Sequence, residues 1–206
     1  MAAPAHVEEF DDFDPLRDFA GMWNTHLAER YLPLPGALFS KYESVDGRLV
    51  LSPAEASSNA YGAVRLAVLM SGPARAAGFF VYGSVNLAIA PDTWIQPDLT
   101  VLHRVPQSEG TRTWVPADHC TMPVEFVSRS SRRRDTIDKP RLCATAGVPY
   151  FMRVEIEPRL RHVAVVLFRL SPAGDHAEAG HAVAGQRFTM TEPFELSFDP
   201  AELLEP

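Results

Sequence analysis

The sequence predicts an α/β or α+β domain built around a β-sheet. Short apolar runs typical of strands alternate along the chain with two or three helical segments. The 206 residues suit one compact domain better than two, and no internal repeat or long linker divides them. Apolar residues make up 46% of the chain and charged residues 22%, a balance that excludes a wholly disordered protein.

The beginning of the chain predicts a tail followed by a helix. Asp14 supplies an N-cap and Pro15 suits the first helical turn, while Pro33 and Pro35 end the helical pattern. We therefore assign residues 1–35 to an N-terminal tail and helix, and residues 36–206 to the sheet domain. The apolar residues at helical spacing in this first segment are Phe19, Met22, Trp23 and Leu27.

A β-hairpin and a long helix are predicted next. Asp46-Gly47 is a strong turn signal between the apolar-rich runs 39–45 and 48–51. Residues 59–75 then place apolar side chains at a period close to 3.6, which predicts a helix. The residues predicted to form the buried face of this helix are Tyr61, Val64, Ala67 and Val68.

The rest of the chain predicts strands, two loops and one further helix. Gly147 is favoured directly after a helix and closes the helix predicted for residues 138–146. Stretches rich in glycine and polar residues predict loops over residues 104–121 and 174–185. Strands are predicted for residues 79–82, 85–90, 95–103, 124–128, 150–156 and 162–170, with one or two more in residues 188–198.

Charge and composition exclude several classes of protein. A net charge of −7 argues against nonspecific coating of nucleic acid, which needs a wide basic surface. Two cysteines cannot form a disulfide framework or, by themselves, a zinc site of thiolates. No apolar run reaches the roughly 18–20 residues that span a bilayer, and the acidic start resembles no export signal. We therefore expect a soluble cytoplasmic protein without a membrane partner.

Two carboxylates fall within apolar segments that predict buried strands. Asp98 follows Pro97, and Glu125 is flanked by Val124 and Phe126. Two facing carboxylates about 4 Å apart would repel by about 4 kcal/mol at an effective dielectric constant near 20. A divalent cation removes this repulsion, and oxygen ligands suit magnesium or manganese. The alternative is that each acid pairs separately with a strand edge or an arginine.

A basic segment directly follows the strand that contains Glu125. Its guanidinium groups could carry phosphates to the carboxylate end of the sheet. The alternative is a solvated turn in which Asp135 and Lys139 form an i,i+4 ion pair worth about 0.3–0.5 kcal/mol. Only two of the 19 basic residues are lysines, Lys41 and Lys139. The arginines of the basic segment are Arg129, Arg132, Arg133 and Arg134.

The order and spacing of several short segments resemble the Uma-two family of restriction endonucleases. The resemblance covers residues 38–204, and each segment alone would carry little weight. The segments are Tyr42-Glu43, Asp46-Gly47, Ser52-Pro53, Pro97-Asp98, residues 124–128, 131–135 and 144–150, Lys139, residues 153–155 and residues 193–196.

This resemblance implies the PD-(D/E)xK nuclease fold, a mixed central β-sheet flanked by α-helices. Asp98 would be the Asp of the motif and Glu125 its second acid. Val127 stands where the motif lysine usually lies, so Lys139 from the following helix would take that role. Ser58-Asn59 replace the Glu-His pair that commonly opens the family's first helix, which leaves Glu55 as the possible acid there.

The implied activity is a metal-dependent endonuclease. Mg²⁺ or Mn²⁺ would be held by Asp98, Glu125 and the backbone carbonyl of Phe126, and Lys139 would orient the attacking water or neutralise charge on phosphate. Its partner would be nucleic acid, DNA rather than RNA, and a homodimer is possible.

Two other functions remain open. The missing helix acid and the net charge favour a catalytically inactive nuclease fold that binds nucleic acid or another partner. A hydrolase of small phosphate esters is less favoured, because the sequence has no glycine-rich phosphate loop or nucleophile elbow.

Overall fold

A computed structural model describes residues 13–106 and 114–206. Its four α-helices are α1 (Pro15–Asp18), α2 (Thr25–Tyr31), α3 (Ser57–Ala76) and α4 (Lys139–Thr145). Strands β1 to β6 are Lys41–Val45, Arg48–Ser52, Phe80–Tyr82, Asn86–Ala90, Thr93–Ile95 and Leu99–Leu102. Strands β7 to β13 are Trp114–Pro116, Cys120–Val127, Tyr150–Glu157, His162–Leu170, His176–Val183, Phe188–Met190 and Leu196–Phe198.

The strands form three sheets, which confirms the α/β class but divides the expected central sheet. The largest sheet has the order β11-β10-β9-β8-β6-β3, and its central pair β8 and β9 is parallel. A second sheet has the order β2-β1-β5-β4-β7, and β12 pairs with β13 alone. The parallel pair needs a crossover, and α4 lies on the connection between β8 and β9.

The six-stranded sheet is covered on both faces. Leu66 and Met70 of α3 are fully buried against one face, together with Val124 and Phe126 of β8. Because neighbouring residues of a strand point to opposite faces, Glu125 lies on the other face, towards α4. The sheet order and this alternation therefore place a carboxylate beneath α4.

The N-terminal prediction of a single helix is wrong. Two short helices form instead, because Gly21 has a φ of +79° and the Asn24 side chain caps a new helix by accepting from the Leu27 N–H. Trp23 still packs against Trp94 in a cluster shared with the second sheet. The division of the chain at residues 35 and 36 stays a prediction.

Helix α3 lies where the sequence predicts it, but its buried face is different. Val64 and Val68 are 65% and 62% exposed, whereas Ala63, Leu66 and Met70 enter the core. The sequence contains two overlapping apolar stripes on this helix. The stripe that includes small residues is buried because it allows the helix to approach the sheet closely.

One predicted strand and two predicted loops need correction. The run predicted as one strand over residues 95–103 is broken by Pro97 into β5 and β6. The loop predicted over residues 174–185 contains β11, an edge strand whose exposed polar residues hide the strand pattern. The loop predicted over residues 104–121 contains β7 and the start of β8, and its residues 107–113 lie outside the described part.

Gly62 lets α3 approach the six-stranded sheet. A Cβ at this position would lie 2.7 Å from Ile156 Cδ1 and 2.9 Å from Phe126 Cε1. Gly62→Ala is therefore expected to destabilise the fold by about 1–3 kcal/mol through overpacking. Thermal or urea unfolding measures the loss. Gly72→Ala, in the same helix with no atom beyond its chain neighbours within 4 Å, is the control. It should change stability by less than about 1 kcal/mol, because the usual gain of Gly→Ala in a helix is offset by the contact of the new Cβ with Pro73. Equal effects of both substitutions would contradict the close approach.

Among the helices of the described residues, none is both long and apolar enough to cross a membrane.

Candidate active site

A cleft of about 250 Å³ opens where the two large sheets meet. The chain passes from β5 of one sheet to β6 of the other through residues 96–98, so Asp98 lies at the junction. The hairpin β1–β2, the start of α3, the end of β8 and the start of α4 contribute the remaining walls. The charged residues that line the cleft are Lys41, Glu43, Glu55, Asp98, Glu125, Asp135 and Lys139.

Asp98 is fixed by the neighbouring strand and by a lysine. Its backbone N–H donates to the Val124 carbonyl at 3.1 Å, and its Oδ2 accepts the Phe126 N–H at 2.6 Å. Lys41 Nζ donates to Asp98 Oδ1 and lies 2.5 Å from Glu55 Oε1. One ammonium group therefore joins two carboxylates that come from distant parts of the chain.

The two acids beside Lys41 have opposite pKa shifts. Burial raises the pKa of Glu55, and the neighbouring Asp98 raises it further. Burial would raise the pKa of Asp98 as well, but hydrogen bonds from Glu55 and Lys41 hold it below its usual value. Burial opposes the charge of Lys41, yet Asp98 and Glu55 raise the pKa of this lysine. The Lys41 ammonium and the Asp98 carboxylate are therefore charged at neutral pH.

Lys139 lies at the centre of a second group of acids. A π-helical turn runs directly into α4 and presents Lys139 at the helix start, where Pro140 suits the first turn. Lys139 Nζ lies 2.8 Å from Glu43, 2.8 Å from Glu125 and 3.1 Å from Asp135. The predicted i,i+4 pair with Asp135 is thus present, but inside the cleft rather than on a solvated turn.

Burial dominates the electrostatics around Lys139. It raises the pKa of Glu125 well above the usual value despite the nearby ammonium, and it also raises the pKa of Asp135. Burial opposes the charge of Lys139, but Glu125, Glu43 and Asp135 together raise its pKa well above the usual value. The lysine is therefore a permanent cation that offsets three buried acids.

The cleft holds more acidic than basic side chains. Five carboxylates face two ammonium groups, and the Arg134 guanidinium approaches Glu43 only to 4.0 Å. Across residues 13–106 and 114–206, no three acidic, histidine or cysteine side chains already surround a common point as metal ligands do. The acids are grouped around the lysines instead. The oxygen donors, the excess of acids over lysines and the ammonium group that Asp98 already accepts nevertheless fit a hard divalent cation.

The structure brings the predicted catalytic residues together. Asp98, Glu125, Phe126 and Lys139 all line the cleft, and so does the alternative acid Glu55. Asn59, which stands in place of the expected helix histidine, donates from Nδ2 to the Phe126 carbonyl at 3.3 Å. The carbonyl expected to hold a metal therefore already accepts a hydrogen bond.

The predicted arginines do not form a common surface. Arg134 turns inward and donates to Ser52 Oγ at 3.0 Å, while Arg132 pairs with Glu155 at 2.9 Å. Arg133 is exposed with a distant contact to Asp138, and Arg129 is exposed. The members of this segment that line the cleft are the serines Ser128, Ser130 and Ser131.

Sequence reasoning missed Lys41 and Glu43 as site residues. Both lie on β1 two positions apart, so they project from the same face of the strand into the cleft. The scarcity of lysine and the alternation Lys-x-Glu in a predicted strand were the available signals. The partners of these residues could not be read from spacing, because Asp98 is 57 positions away from Lys41.

Glu125→Gln is expected to gain stability relative to the wild type as the pH rises. The folded-state pKa of Glu125 exceeds its unfolded value, so both states are protonated in acid and glutamine is then nearly equivalent. Between the two pKa values the wild type loses about 1.4 kcal/mol per pH unit, and the glutamine variant does not. Urea unfolding from about pH 4 to pH 8 measures the difference. A difference that is constant with pH, or shrinks, would contradict the raised pKa.

Comparison with known sequences identifies the family. Residues 28–201 match the Uma2 family, which is described as "Putative restriction endonuclease". The chain belongs to the Uma2 family. This membership confirms the resemblance found in the sequence and supports a nuclease function. No curated protein sequence matches the chain.

Comparison with solved structures shows the fold. The structure is similar to the crystal structure of a "putative nuclease belonging to DUF820" from Anabaena variabilis, with a TM-score of 0.60 and 14% sequence identity. The match covers 85% of this Uma2 chain and 95% of the other chain. It confirms the predicted restriction-endonuclease-like fold.

Proposed function

We propose that this Uma2 protein is a metal-dependent endonuclease that hydrolyses phosphodiester bonds of DNA. The observation that supports the proposal most strongly is the convergence of Asp98, Glu125 and Lys139 on one cleft that holds more acids than lysines. These residues are far apart in the sequence, and a purely structural role does not require an open cleft at their meeting point.

The residues of the cleft have separate roles in the proposed reaction. Asp98, Glu125 and the Phe126 carbonyl would hold Mg²⁺ or Mn²⁺. When bound, such an ion supplies Lewis acidity to the scissile phosphate and lowers the pKa of a coordinated water. Lys139 would position Glu125 and place a positive charge beside the attacking water.

The substrate backbone would lie across the mouth of the cleft. Ser128, Ser130 and Ser131 present hydroxyl groups there, and hydroxyl groups are common donors to phosphate oxygens. The exposed Arg129 and Arg133 would contact flanking phosphates without reading the sequence. Arg132 and Arg134, which already have acidic or hydroxyl partners, would contribute less than the sequence suggests.

Cleavage of defined substrates tests this function. Supercoiled plasmid, duplex DNA and single-stranded RNA are incubated with Mg²⁺ or Mn²⁺, with EDTA as the control. We expect nicking or linearisation of the plasmid that EDTA abolishes and slower cleavage of RNA. Absence of cleavage on every substrate with either metal would overturn the proposal.

A nuclease fold without catalysis is the second candidate. It is favoured by Asn59, whose amide donates to the carbonyl expected to bind the metal, and by the net charge of −7. This candidate predicts salt-sensitive DNA binding without cleavage, and no binding of Mn²⁺ at millimolar concentration in calorimetric titration. The homodimer and the cytoplasmic location stay predictions.

A further inference from the structure

Both lysines of the chain lie in the same cleft. The other 17 of the 19 basic residues are arginines, and most of them lie elsewhere. The environments of the two lysines differ. Lys139 is 8% exposed among three acids, whereas Lys41 is 23% exposed and contacts two acids, Asp98 and Glu55. Lys41 is thus the lysine that can leave its partners without becoming a buried unpaired charge.

The Lys41 ammonium lies between two carboxyl groups, where a bound cation would also lie. Glu55 comes from the segment before α3 and Asp98 from the junction of the two sheets, and their carboxyl groups lie close together because both contact the Lys41 ammonium. Such a pair repels when both groups are ionised, so a cation between them is strongly favoured. The Lys41 ammonium supplies that positive charge in the isolated protein.

The backbone of Lys41 is fixed while its side chain can move. Lys41 pairs with Ser52 in the β1–β2 hairpin, so the strand holds the Cα in place. Four methylene groups separate the ammonium from that strand, and an ammonium is a compact charge without the rigid planar geometry of a guanidinium. A rotation of the side chain is therefore enough to empty the position between Glu55 and Asp98.

We propose that Lys41 is a built-in counter-ion that holds the Glu55–Asp98 pair and is displaced when a divalent metal binds Asp98. The inference rests on the proposed function, because it assumes a metal at that site. The displaced ammonium is then available to a phosphate oxygen of the substrate at the mouth of the cleft. Two consequences follow: metal binding competes with Lys41, and the Lys41 ammonium leaves its acidic partners while the Lys139 ammonium stays buried among its own.

The small number of lysines allows a direct measurement of displacement. Protein labelled with ¹⁵N-lysine gives one side-chain ammonium signal from each lysine, and the signal missing in Lys41→Met identifies Lys41. The held ammonium should be protected from solvent exchange before metal is added. We expect addition of Mg²⁺ to shift or broaden the Lys41 signal and to make its solvent exchange faster, while the Lys139 ammonium stays protected from exchange. A Lys41 signal that is unchanged at saturating Mg²⁺ would overturn the proposal.

Metal affinity gives an independent test without an activity assay. Lys41→Met removes the competing cation, so we expect calorimetry to show Mg²⁺ binding about tenfold tighter or more than in the wild type. Arg48→Met is the matched control, since it removes one positive charge from an exposed position on the same hairpin. Its affinity should stay close to that of the wild type. Equal tightening in both variants would indicate a general charge effect and would overturn the specific role of Lys41.

The two proposals can fail separately. If Mg²⁺ binds and the Lys41 signal does not respond, the counter-ion role is wrong while the nuclease proposal stands. If neither the wild type nor Lys41→Met binds Mg²⁺ or Mn²⁺, both proposals are wrong. If Lys41→Met does not fold, the lysine signals of the wild type still decide the question, because the signal protected by three buried acids is distinguished from the other by its slower solvent exchange.

Discussion

Lys139→Met is expected to destabilise the protein by about 3–5 kcal/mol. The substitution keeps most of the side-chain volume but removes the ammonium that Glu43, Glu125 and Asp135 share at 2.8–3.1 Å. Three buried acids would then repel one another or take up protons, and either response costs folding free energy. Urea unfolding monitored by tryptophan fluorescence measures the loss.

Two further variants separate this effect from the simple loss of a charge. Arg141→Met removes a positive charge from an exposed position of the same helix, and it should change stability by less than about 0.5 kcal/mol. The double variant Lys139→Met with Glu125→Gln should recover part of the lost stability, because one of the unpaired acids is gone. A loss for Lys139→Met no larger than that for Arg141→Met would show that the buried cluster is not held together by its cation.

Variants of Lys139 and of Glu125 should differ in stability even though both impair cleavage. Loss of either side chain should impair cleavage, but loss of Lys139 destabilises the fold whereas neutralising Glu125 relieves repulsion at neutral pH. Functional sites often retain such unfavourable charge at the expense of stability. A cleft whose acids are worse paired than stability requires is consistent with selection for binding a cation.

The parts of the fold that the sequence predicts are those determined by interactions between residues close in the chain. The hairpin around Asp46-Gly47 lies where it is expected, because this turn imposes its own backbone geometry. Helix α3 is also located correctly, but the choice between its two apolar stripes depends on the sheet it packs against. The edge strand β11 is hidden because its side chains are largely exposed and show no alternation.

The candidate site also contains residues that the sequence predicts and residues that it does not. Asp98 and Glu125 stand out because carboxylates are unusual in apolar strand segments, and the resemblance to the Uma2 family adds Lys139. Lys41 and Glu43 do not stand out, because their role depends on how the β1 strand pairs with β5 and approaches Asp98. Such contacts between distant segments follow from the tertiary fold and leave no periodic signal in the sequence.

Asp98→Asn is expected to lower the rate of DNA cleavage by about 10²–10³-fold or more under conditions in which the variant is still folded. Asparagine has the same shape and its side-chain oxygen can still accept the Phe126 N–H. It lacks the negative charge that Lys41 neutralises in the isolated protein and that a divalent cation would neutralise in the active one. Single-turnover cleavage with saturating Mn²⁺ measures the rate, and calorimetry should show weaker Mn²⁺ binding.

The control for this variant must be an aspartate outside the cleft. Asp118→Asn makes the same chemical change at an exposed position after β7, and it should cleave at the wild-type rate. Asp98→Asn should be less stable than the wild type at neutral pH, because the lowered pKa of Asp98 means that its charge stabilises the folded state. Cleavage is therefore compared at a temperature at which unfolding curves show both proteins fully folded, so that an activity loss cannot be attributed to unfolding. If the Asp98 variant cleaves as fast as the Asp118 variant, the charge at the junction of the two sheets is not used in catalysis. The reaction would then require a different set of ligands.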